Sequence, residues 1–545
     1  MPRRLLLALS LTILFLYFYM WLGKKLGYDQ PIEPEIQPVP IEEPEPEPEA
    51  TELTEVAAQE TPATEPQVEE EIELEEVTLQ NADILVVLHN KGGVVVHALL
   101  DHYYETYKQE TKLELVASER HYPGEVLLEK DISTSKKMFR VEEHSGNRVV
   151  FVYTGGDVTI RKTYELAEQG YRLNFKVEVL PRSGESQFSV VIAEGLQPIN
   201  PGEKLKASFL DFGAINPKIT NFAWAEDGDS EKKTPNKLDK TRFVPLREEA
   251  EFPIEWLGLK DNYFANVFMP SEPIAEAGIK ASEKFFVSTK KTIQLPVIIA
   301  RAEGKLDGFF YMGPIKSLDL NQADPGLEKV VDFGFAGKLS EWLFMALRMF
   351  HGLTGNWGWA IVILTILIRA ALMPLMVPSI KSSFKMRKLA PKMEKLKQKY
   401  EGNDMETKQK LQQATMKLYK EEGVNPFSSC ITMLAQMPVF IAYFALLRSS
   451  IYLRQADWMF WIQDLSIKDY TYVLPILMGA TMWLSTNAMP MTTGDPAQQK
   501  MMKLMPIMFS FMFIGMPAGL IIYMITSNVF TLFQTKLLNR RLAKE

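Results

Sequence analysis

One charged residue inside a long apolar run most constrains what this chain can fold into. Residues 357–378 read WGWAIVILTILIRAALMPLMVP, an apolar run as long as the roughly 20 residues that a helix needs to cross a bilayer. Arg369 interrupts this run, and a guanidinium keeps its charge in proteins. The other apolar runs of the C-terminal half contain no acidic residue. The sequence therefore predicts that Arg369 meets water, backbone or a guest rather than a carboxylate of its own membrane segments.

Two interpretations of Arg369 remain open at this point. Its side chain could bend toward the headgroups, since Pro378 lies about nine residues, or roughly 13 Å, further along the helix. Alternatively, it lines a hydrated functional cavity. A charge at the middle of a membrane helix costs roughly 2.5–3.5 kcal/mol on insertion scales, and such charges usually have a function. The cavity is therefore the favoured interpretation.

The net charge of −8 belongs to one segment of the 545-residue chain. Residues 31–78 hold seventeen glutamates and no lysine or arginine, so the rest of the chain is net positive. Proline alternates with glutamate here, which favours an extended, self-repelling chain without a core. We predict a disordered linker over residues 29–78.

The first residues have the composition of a membrane anchor. An apolar run over residues 5–22 is preceded by two arginines and followed by two lysines. The run is long for a signal peptide, and no small-residue cleavage site follows it. We predict an uncleaved transmembrane anchor over residues 1–28.

Residues 79–335 have the pattern of a large antiparallel β-sandwich. Short β-branched and aromatic runs are separated by turn signals such as NKGG, SGN and TGGD. The polar tract 227–240 is interpreted as a loop. The runs that predict strands are ADILVVLHN, GGVVVHALL, NRVVFVYT, DVTIRKTYEL, YRLNFKVEVL, QFSVVIAEG and TIQLPVIIARA.

Two segments flank the Arg369 run. Residues 336–356 combine apolar residues, tryptophan and charges at helical spacing, which predicts an amphipathic helix in the membrane interface or a core helix of the preceding domain.

Residues 379–426 predict a helical hairpin outside the membrane. Its lysines and arginines outnumber its acids two to one, so the positive-inside rule places it in the cytoplasm and the β domain on the opposite side. The basic face could be solvated beside anionic lipid, or it could be a docking surface made by Lys385, Arg387, Lys388, Lys392 and Lys395.

The C-terminal region, residues 357–540, predicts a core of five transmembrane helices. Three of these helices carry polar residues that share one helical face. Polar groups are costly against lipid, so the three faces should converge into a hydrophilic groove. Hydrogen bonds that hold the helices together are the alternative explanation. The expected spans are 357–378, 427–448, 471–487, 501–516 and 519–536, and the expected groove residues are Arg369, Thr365, Ser429, Thr432, Gln436, Tyr523, Ser527, Thr531 and Gln534.

The sequence carries no pattern for catalysis, for a metal or for a cofactor. Its single cysteine, Cys430, excludes an intrachain disulfide, and its six histidines show no metal-ligand spacing. Nucleotide-binding glycine motifs and nucleophile elbows are absent. We therefore expect neither an enzyme nor a nucleotide-driven pump.

Ordered motifs in the helical region resemble a known family. GNWGWAIVILTILIRAALMPL, NPFSSCITMLAQMPVFIAYFALL and DPAQQKMMKLMPIMF, together with the basic hairpin, resemble the YidC/Oxa1/Alb3 membrane protein insertases. The resemblance is to the Gram-negative type, which has an extra N-terminal span and a large periplasmic β domain. It is specific over residues 337–540, and over 79–335 it rests on position, size and strand pattern.

The resemblance implies a function and roles for several residues. It implies an α-helical polytopic membrane protein that inserts and helps fold inner-membrane proteins, alone or with the Sec translocon. Arg369 matches the family's groove arginine, which attracts acidic groups of the substrate; Thr365 matches a polar groove position, and Tyr523 matches a tyrosine that touches substrate. Relatives with a periplasmic domain often have a second tyrosine where this chain has Met524. That difference puts a two-tyrosine contact surface in doubt.

The resemblance also implies partners and a location. The partners are nascent membrane proteins, the Sec translocon, the ribosome with its targeting machinery, and membrane lipid, with no nucleic acid other than ribosomal RNA. The location is the bacterial inner membrane, with both termini in the cytoplasm and the β domain in the periplasm.

Two other classes of protein are alternatives to the insertase. A secondary transporter usually shows inverted repeats around a midplane site, and no repeat is visible among the five runs. A tethered periplasmic binding protein or chaperone would use the spans only as anchors. Deletion of the β domain would separate this last class from an insertase.

Overall fold

The computed structural model describes residues 72–542 except 106–109, 117, 119, 129–131, 157, 182–186, 197–220, 227–228, 234–243, 246–252, 287–290, 332–336, 401, 403–404, 425–427 and 489–495. The expected anchor over residues 1–28 and most of the expected linker over 29–78 lie outside these residues. Within them the chain forms a strand-rich body followed by a helical body.

The strand-rich body, here called the β domain, contains three antiparallel sheets. The four-stranded sheet has the order β1-β2-β3-β4, with strands Glu76–Gln80, Ile84–His89, Val94–Tyr104 and Lys112–Glu114. The six-stranded sheet has the order β14-β17-β18-β11-β5-β6, with strands Val244–Pro245, Glu276–Phe286, Lys291–Glu303, Gln187–Glu194, Val126–Leu128 and Ile132–Ser133. The nine-stranded sheet has the order β13-β12-β15-β16-β19-β10-β9-β8-β7, with strands Asp229–Lys233, Asn221–Glu226, Ile254–Lys260, Phe264–Pro270, Lys305–Pro314, Arg172–Pro181, Val158–Leu166, Arg148–Gly155 and Arg140–Ser145.

The predicted sandwich is confirmed by how its strands bury alternate residues. In β10, every second residue from Leu173 to Val179 is buried while the residues between them are partly exposed, as a half-buried strand requires. One continuous hydrophobic core draws side chains from all three sheets. Each of the seven runs that predicted strands lies on a strand.

Two boundaries of the β domain differ from the sequence-based expectation. The first strand begins at Glu76 rather than at residue 79, because it follows directly on the glutamate-rich segment, whose composition hides the alternation of buried Val77 and Leu79 with polar residues. The expected loop over 227–240 contains the strand Asp229–Lys233. This strand lies at the edge of the nine-stranded sheet, where charged residues are tolerated and prevent edge-to-edge association.

The helical body follows the last strand through a short connection. Helix α1, Ser317–Ala323, and a 3₁₀ turn, Pro325–Val330, pack onto the β domain. The remaining helices are α2 (Gly337–Thr354), α3 (Trp357–Lys388), α4 (Ala390–Lys399), α5 (Met405–Glu421), α6 (Ser428–Ser449), α7 (Val473–Ala488), α8 (Pro496–Met512) and α9 (Ala518–Leu542). The five stretches expected to span the membrane fall on α3, α6, α7, α8 and α9, with the differences in bounds given below.

Helix α3 is longer than the expected span. The sequence predicts an end at Pro378, yet α3 continues to Lys388 with both Pro374 and Pro378 inside it. Each proline removes only one backbone N–H, and helices of membrane proteins tolerate that loss where neighbouring groups re-satisfy the carbonyls. The hairpin expected over 379–426 is therefore built from α4 and α5, with its first ten residues belonging to α3.

Helix α9 also exceeds its expected bounds of 519–536, because its polar C-terminal turns remain helical to Leu542. Two helical segments among the described residues are long and apolar enough to cross a membrane, Trp357–Pro374 and Ala518–Leu542. A shorter apolar helical stretch covers Leu504–Gly515. A second hydrophobic core joins α2, α3, α6, α7 and α9.

Candidate functional site

Arg369 lies where the burial of α3 changes. Toward the N-terminus, Ala360, Ile361, Leu364 and Thr365 are buried in the helical core. From residue 370 to the end of the apolar run, most side chains are partly or fully exposed. Along α3, the stretch toward the β domain is therefore packed into the helical core and the stretch beyond Arg369 is more exposed, with the cation between the two.

The guanidinium of Arg369 contacts α9. One of its Nη2 hydrogens is donated to the hydroxyl of Ser527, which is itself buried. The Nε atom of Arg369 is buried and has no hydrogen-bond partner in the described part of the chain. Among the described residues, no carboxylate lies within ion-pair distance of this guanidinium. Charge and hydrogen-bonding capacity thus remain available for an anionic guest.

Tyr523 lies four residues before Ser527, on the side that meets α6. Its ring stacks on the ring of Tyr443, with centroids 4.5 Å apart and an angle of 21° between the planes. The Nε2 atom of Gln436 donates a hydrogen bond of 2.7 Å to the Tyr523 hydroxyl. The Tyr443 hydroxyl donates to the carbonyl of Ile361 at 3.3 Å. A polar and aromatic network therefore joins α3, α6 and α9 at the edge of the packed half.

The two threonines of the expected groove bond to their own helices. Thr365 is fully buried, and its hydroxyl donates to the Ile361 carbonyl at 2.6 Å. Thr531 donates to the Ser527 carbonyl at 2.9 Å. Such bonds satisfy a hydroxyl in an apolar helix without a partner from elsewhere.

Gln534 lies two helical turns beyond Ser527, on the side away from the β domain. It is only 2% exposed, and within the described part of the chain neither its Nε2 nor its Oε1 has a hydrogen-bond partner. The neighbouring Thr535 hydroxyl is likewise buried and has no partner among those residues. Unsatisfied buried polar atoms each cost about 1–3 kcal/mol, so this region suits water or a polar guest.

The structure brings together seven of the nine expected groove residues by direct contact or along one helix face. Arg369 bonds Ser527 and Gln436 bonds Tyr523. Thr531 and Gln534 continue the α9 face of Tyr523 and Ser527, and Thr365 bonds the Ile361 carbonyl that also accepts from Tyr443. Ser429 and Thr432 lie in α6, but their side chains fall outside the described part. Tyr443 was absent from the expected set, although its spacing of seven residues from Gln436 places it on the same face of α6.

The expected docking lysines lie along α3 and α4. Lys385, Lys388, Lys392 and Lys395 are all exposed, at alternating steps of three and four residues that keep them on one helical stripe. Lys392 pairs with Glu422 at 2.5 Å, and the ammonium of Lys388 lies 4.9 Å from the centre of the Phe384 ring. Arg387 lies in α3, and its side chain falls outside the described part.

A metal centre finds no support where the structure is described. Within those residues, no group of three or more histidine, cysteine, aspartate or glutamate side chains could hold an ion. The site's chemistry is that of a fixed cation, hydroxyls, amides and aromatic rings.

Comparison with known proteins places both bodies in one family. The family model described as the YidC periplasmic domain matches residues 76–346, and the model of the 60Kd inner membrane protein matches residues 349–545. Among the curated relatives, a membrane protein insertase YidC from Ectopseudomonas mendocina (strain ymp) is 38% identical over 323 residues, covering 58% of this chain and 53% of the relative. One of the same name from Pseudomonas putida (strain GB-1) is 40% identical over 297 residues, covering 53% of this chain and 50% of the relative.

The matched segment spans about half the length of these curated relatives. A solved structure described as an active YidC insertase with its first transmembrane domain resolved is 18% identical, with a TM-score of 0.38, and covers 84% of this chain and 91% of its own. The two family models follow one another along the chain and together account for almost everything from residue 76 to its end. The chain belongs to the YidC family: its strand-rich body matches the model of that family's periplasmic domain, and its helical body matches the model of the 60Kd inner membrane protein.

Proposed function

We propose that this chain is a membrane protein insertase and chaperone of the bacterial inner membrane, not an enzyme. It accepts a nascent transmembrane segment, draws the polar flank of that segment toward Arg369, and releases the segment sideways into lipid. The observation that carries the proposal is the position of Arg369, a fixed cation where α3 passes from its packed to its more exposed stretch, whose one hydrogen-bond partner among the described residues is the Ser527 hydroxyl.

The guanidinium can exchange its resting partner for a carboxylate. A charge-assisted bond to a carboxylate is roughly twice as strong as a bond to a neutral hydroxyl, and it would also occupy the free Nε donor. An acidic flank on a client therefore gains binding where a neutral flank does not. Once bound, a flank carrying a negative charge gains about 2.3 kcal/mol per 100 mV when it crosses toward the positive side of the membrane. No nucleotide is needed for either step.

The proposed topology follows from the helices and from the charge distribution. Helices α3, α6, α7, α8 and α9 would span the membrane with an N-terminal anchor over residues 1–28, both termini in the cytoplasm and the β domain in the periplasm. Helix α2 would lie in the interface, since Leu343 and Leu347 are buried while Trp342, Met345 and Met349 form a second, exposed apolar stripe.

The proposed partners follow from the surfaces of the inner face. The exposed lysine stripe on α3 and α4 suits anionic surfaces of the ribosome and its targeting machinery, and of anionic lipid. Cooperation with the Sec translocon is part of the same proposal. Within the groove, Thr365, Ser429, Thr432, Gln436, Tyr523, Ser527, Thr531 and Gln534 would contact or position the client beside Arg369.

Reconstituted vesicles test the proposal directly. Purified protein is expected to insert a short client with an acidic flank, and Arg369→Ala is expected to slow that insertion about tenfold, the equivalent of one charge-assisted bond of about 1.5 kcal/mol. The same client with uncharged flanks should be slowed much less. Arg369→Lys should retain much of the rate, because it keeps the charge. Equal slowing of both clients would contradict an attractive role for Arg369, and no insertion by the unmodified protein would contradict the function itself.

A further inference from the structure

The loop between α6 and α7, residues 450–472, is here called the cap loop, and it joins the two bodies of the molecule. Its 3₁₀ turn Ile451–Leu453 divides its side chains between them: Ile451 is buried in the core of the β domain, whereas Leu453 is buried in the helical core. The ring of Tyr452 lies between Phe344 of α2, at 5.3 Å, and Trp357 of α3, at 5.6 Å. A turn that contributes to two cores holds both in a fixed relation.

Polar contacts reinforce this joint at the next two residues. The Nη2 atom of Arg454 donates to the carbonyl of Tyr104 at 2.5 Å, and the Nε2 atom of Gln455 donates to the same carbonyl at 2.8 Å. The guanidinium of Arg454 also lies 5.3 Å from the centre of the Phe264 ring. Gln455 has a φ of 58°, a conformation that is strained for a residue with a side chain. This strain is tolerated where it delivers both side chains to the end of β3.

The rest of the cap loop covers the ends of the two helices that hold the groove. Trp458 packs on Gly358 near the start of α3 so closely that a Cβ there would lie 2.1 Å from the indole. At the start of α9, the amides of Ala518 and Gly519 donate to the carbonyls of Ile467 and Leu465 at 2.7 and 2.9 Å. These two helices carry Arg369 and Ser527, and the buried residues below the cap form the packed half of the bundle.

We propose that the β domain is a brace: through Ile451, Arg454 and Gln455 it holds the cap loop on α3 and α9, and this keeps the groove closed at the β-domain end. A groove that admits water at one end must be sealed at the other, since a hydrated path through the whole bundle would discharge the membrane. The inference rests on the proposed function, in which water and client enter at the end away from the β domain. It assigns to the β domain a mechanical role that needs no ligand.

Loosening the brace is the first test. The variants Arg454→Gln and Ile451→Ser remove one polar and one apolar contact, and Arg301→Gln is the matched control because Arg301 pairs with Glu276 on an exposed part of the β domain. Amide hydrogen exchange at Ala518 and Gly519 should rise in both test variants and not in the control. Proton leakage from vesicles that contain the full chain, followed with an enclosed pH dye, should rise several-fold in parallel. Unchanged exchange, or faster exchange without leakage, would overturn the inference.

Locking the brace is the second test. Tyr104→Cys and Gln455→Cys, in a Cys430→Ala background, allow a short bis-maleimide to join the two bodies. The cross-linked protein should leak no more than the unmodified protein and should insert clients at the same rate. Loss of insertion on cross-linking would show that this contact must open, which contradicts a fixed brace. Leakage is measured without any client, so it reports on the brace even if the insertase proposal fails.

Discussion

Asp261 shows how burial at the joint of the two bodies changes the chemistry of a single residue. Its carboxyl is 9% exposed and accepts hydrogen bonds of 2.7 Å from the amides of Tyr263 and Phe264. Burial raises the pKa of Asp261 to about 6, against the opposing effects of those amides and of the nearby Arg454 and Lys260. The folded protein therefore favours the protonated form more than the unfolded chain does.

The pH dependence of stability should reflect this carboxyl. An acid whose pKa is raised in the folded state contributes stability that is fully present below about pH 4 and is lost as the pH rises through about 6. Asp261→Asn keeps the acceptor for the two amides but cannot ionise. Between pH 4.5 and pH 7.5, we expect the free energy of unfolding of the unmodified protein to fall by about 2–3 kcal/mol relative to that of the variant. The difference is measured as a lower melting temperature of the unmodified protein. A constant difference between the two melting curves across this range would contradict the pKa shift.

Lys162 is a second residue whose environment determines its contribution. It is fully buried, and its ammonium donates to the carbonyls of Gly92 at 2.6 Å, Gly124 at 2.8 Å and Gly93 at 3.3 Å. Lys162→Met keeps the length of the side chain but removes the donor from the Gly92 and Gly124 carbonyls, at about 1–3 kcal/mol each, while the Gly93 carbonyl keeps its bond from the Tyr164 hydroxyl. We expect the midpoint temperature of the β-domain unfolding transition, followed by circular dichroism, to drop sharply, or the domain to fail to fold.

The matched control for this substitution is Lys176→Met. Lys176 pairs with Glu178 at 2.7 Å on an exposed face of β10, and exposed ion pairs contribute about 0–1 kcal/mol. Comparable losses in the two variants would contradict a special role for the buried lysine. The period-two pattern separates these residues: Lys162 is in phase with the buried Ile160 and Tyr164, whereas Lys176 lies between the buried Phe175 and Val177.

At the scale of elements, the contact of the cap loop with α3 can be tested by one methyl group. Gly358→Ala would place its Cβ 2.1 Å from the indole of Trp458, so the loop or the helix must move. Overpacking of this kind costs about 1–3 kcal/mol, and we expect a lower melting temperature in detergent and faster hydrogen exchange in the cap loop. Gly352→Ala in α2 is the control, since nothing lies within 4 Å of its Cβ position. Equal behaviour of the two variants would contradict the tight packing.

The elements themselves were largely predictable, because their signals are local. Period-two alternation located β10, and helical spacing located the polar faces that carry Arg369, Gln436 and Tyr523. Charged strands such as Asp229–Lys233 escaped, since an edge strand needs no apolar face. The predicted end of α3 at Pro378 was wrong. A proline weakens a helix locally, but the continuation of α3 to Lys388 depends on packing that the sequence does not display.

The candidate site was predictable in its composition but not in its pairing. Spacing alone placed Ser527 and Tyr523 on one face of α9, as the structure shows. That Ser527 bonds Arg369, or that Tyr523 stacks on Tyr443, depends on how three helices meet in space. Contacts between distant segments leave no periodic trace in one sequence.

At the scale of the whole molecule, the joint between the bodies makes the effect of removing the β domain specific. Deleting residues 72–331 uncovers Ile451, Tyr452 and Arg454 on the cap loop. We expect the remaining membrane part to insert simple clients still, because the groove residues lie outside the deletion, but to leak protons and to aggregate more readily. Vesicle insertion and leakage assays on the same preparation measure both. Complete loss of insertion for every client would place part of the inserting function in the β domain.

The continuity of α3 has a consequence for the length of a client. Arg369 and Lys388 lie on one uninterrupted helix, so the rise of 1.5 Å per residue separates them by about 28 Å. An extended polypeptide covers that distance with about eight residues. If clients are delivered at the lysine stripe, as proposed, we expect an acidic group to reach Arg369 only when at least that many residues precede it.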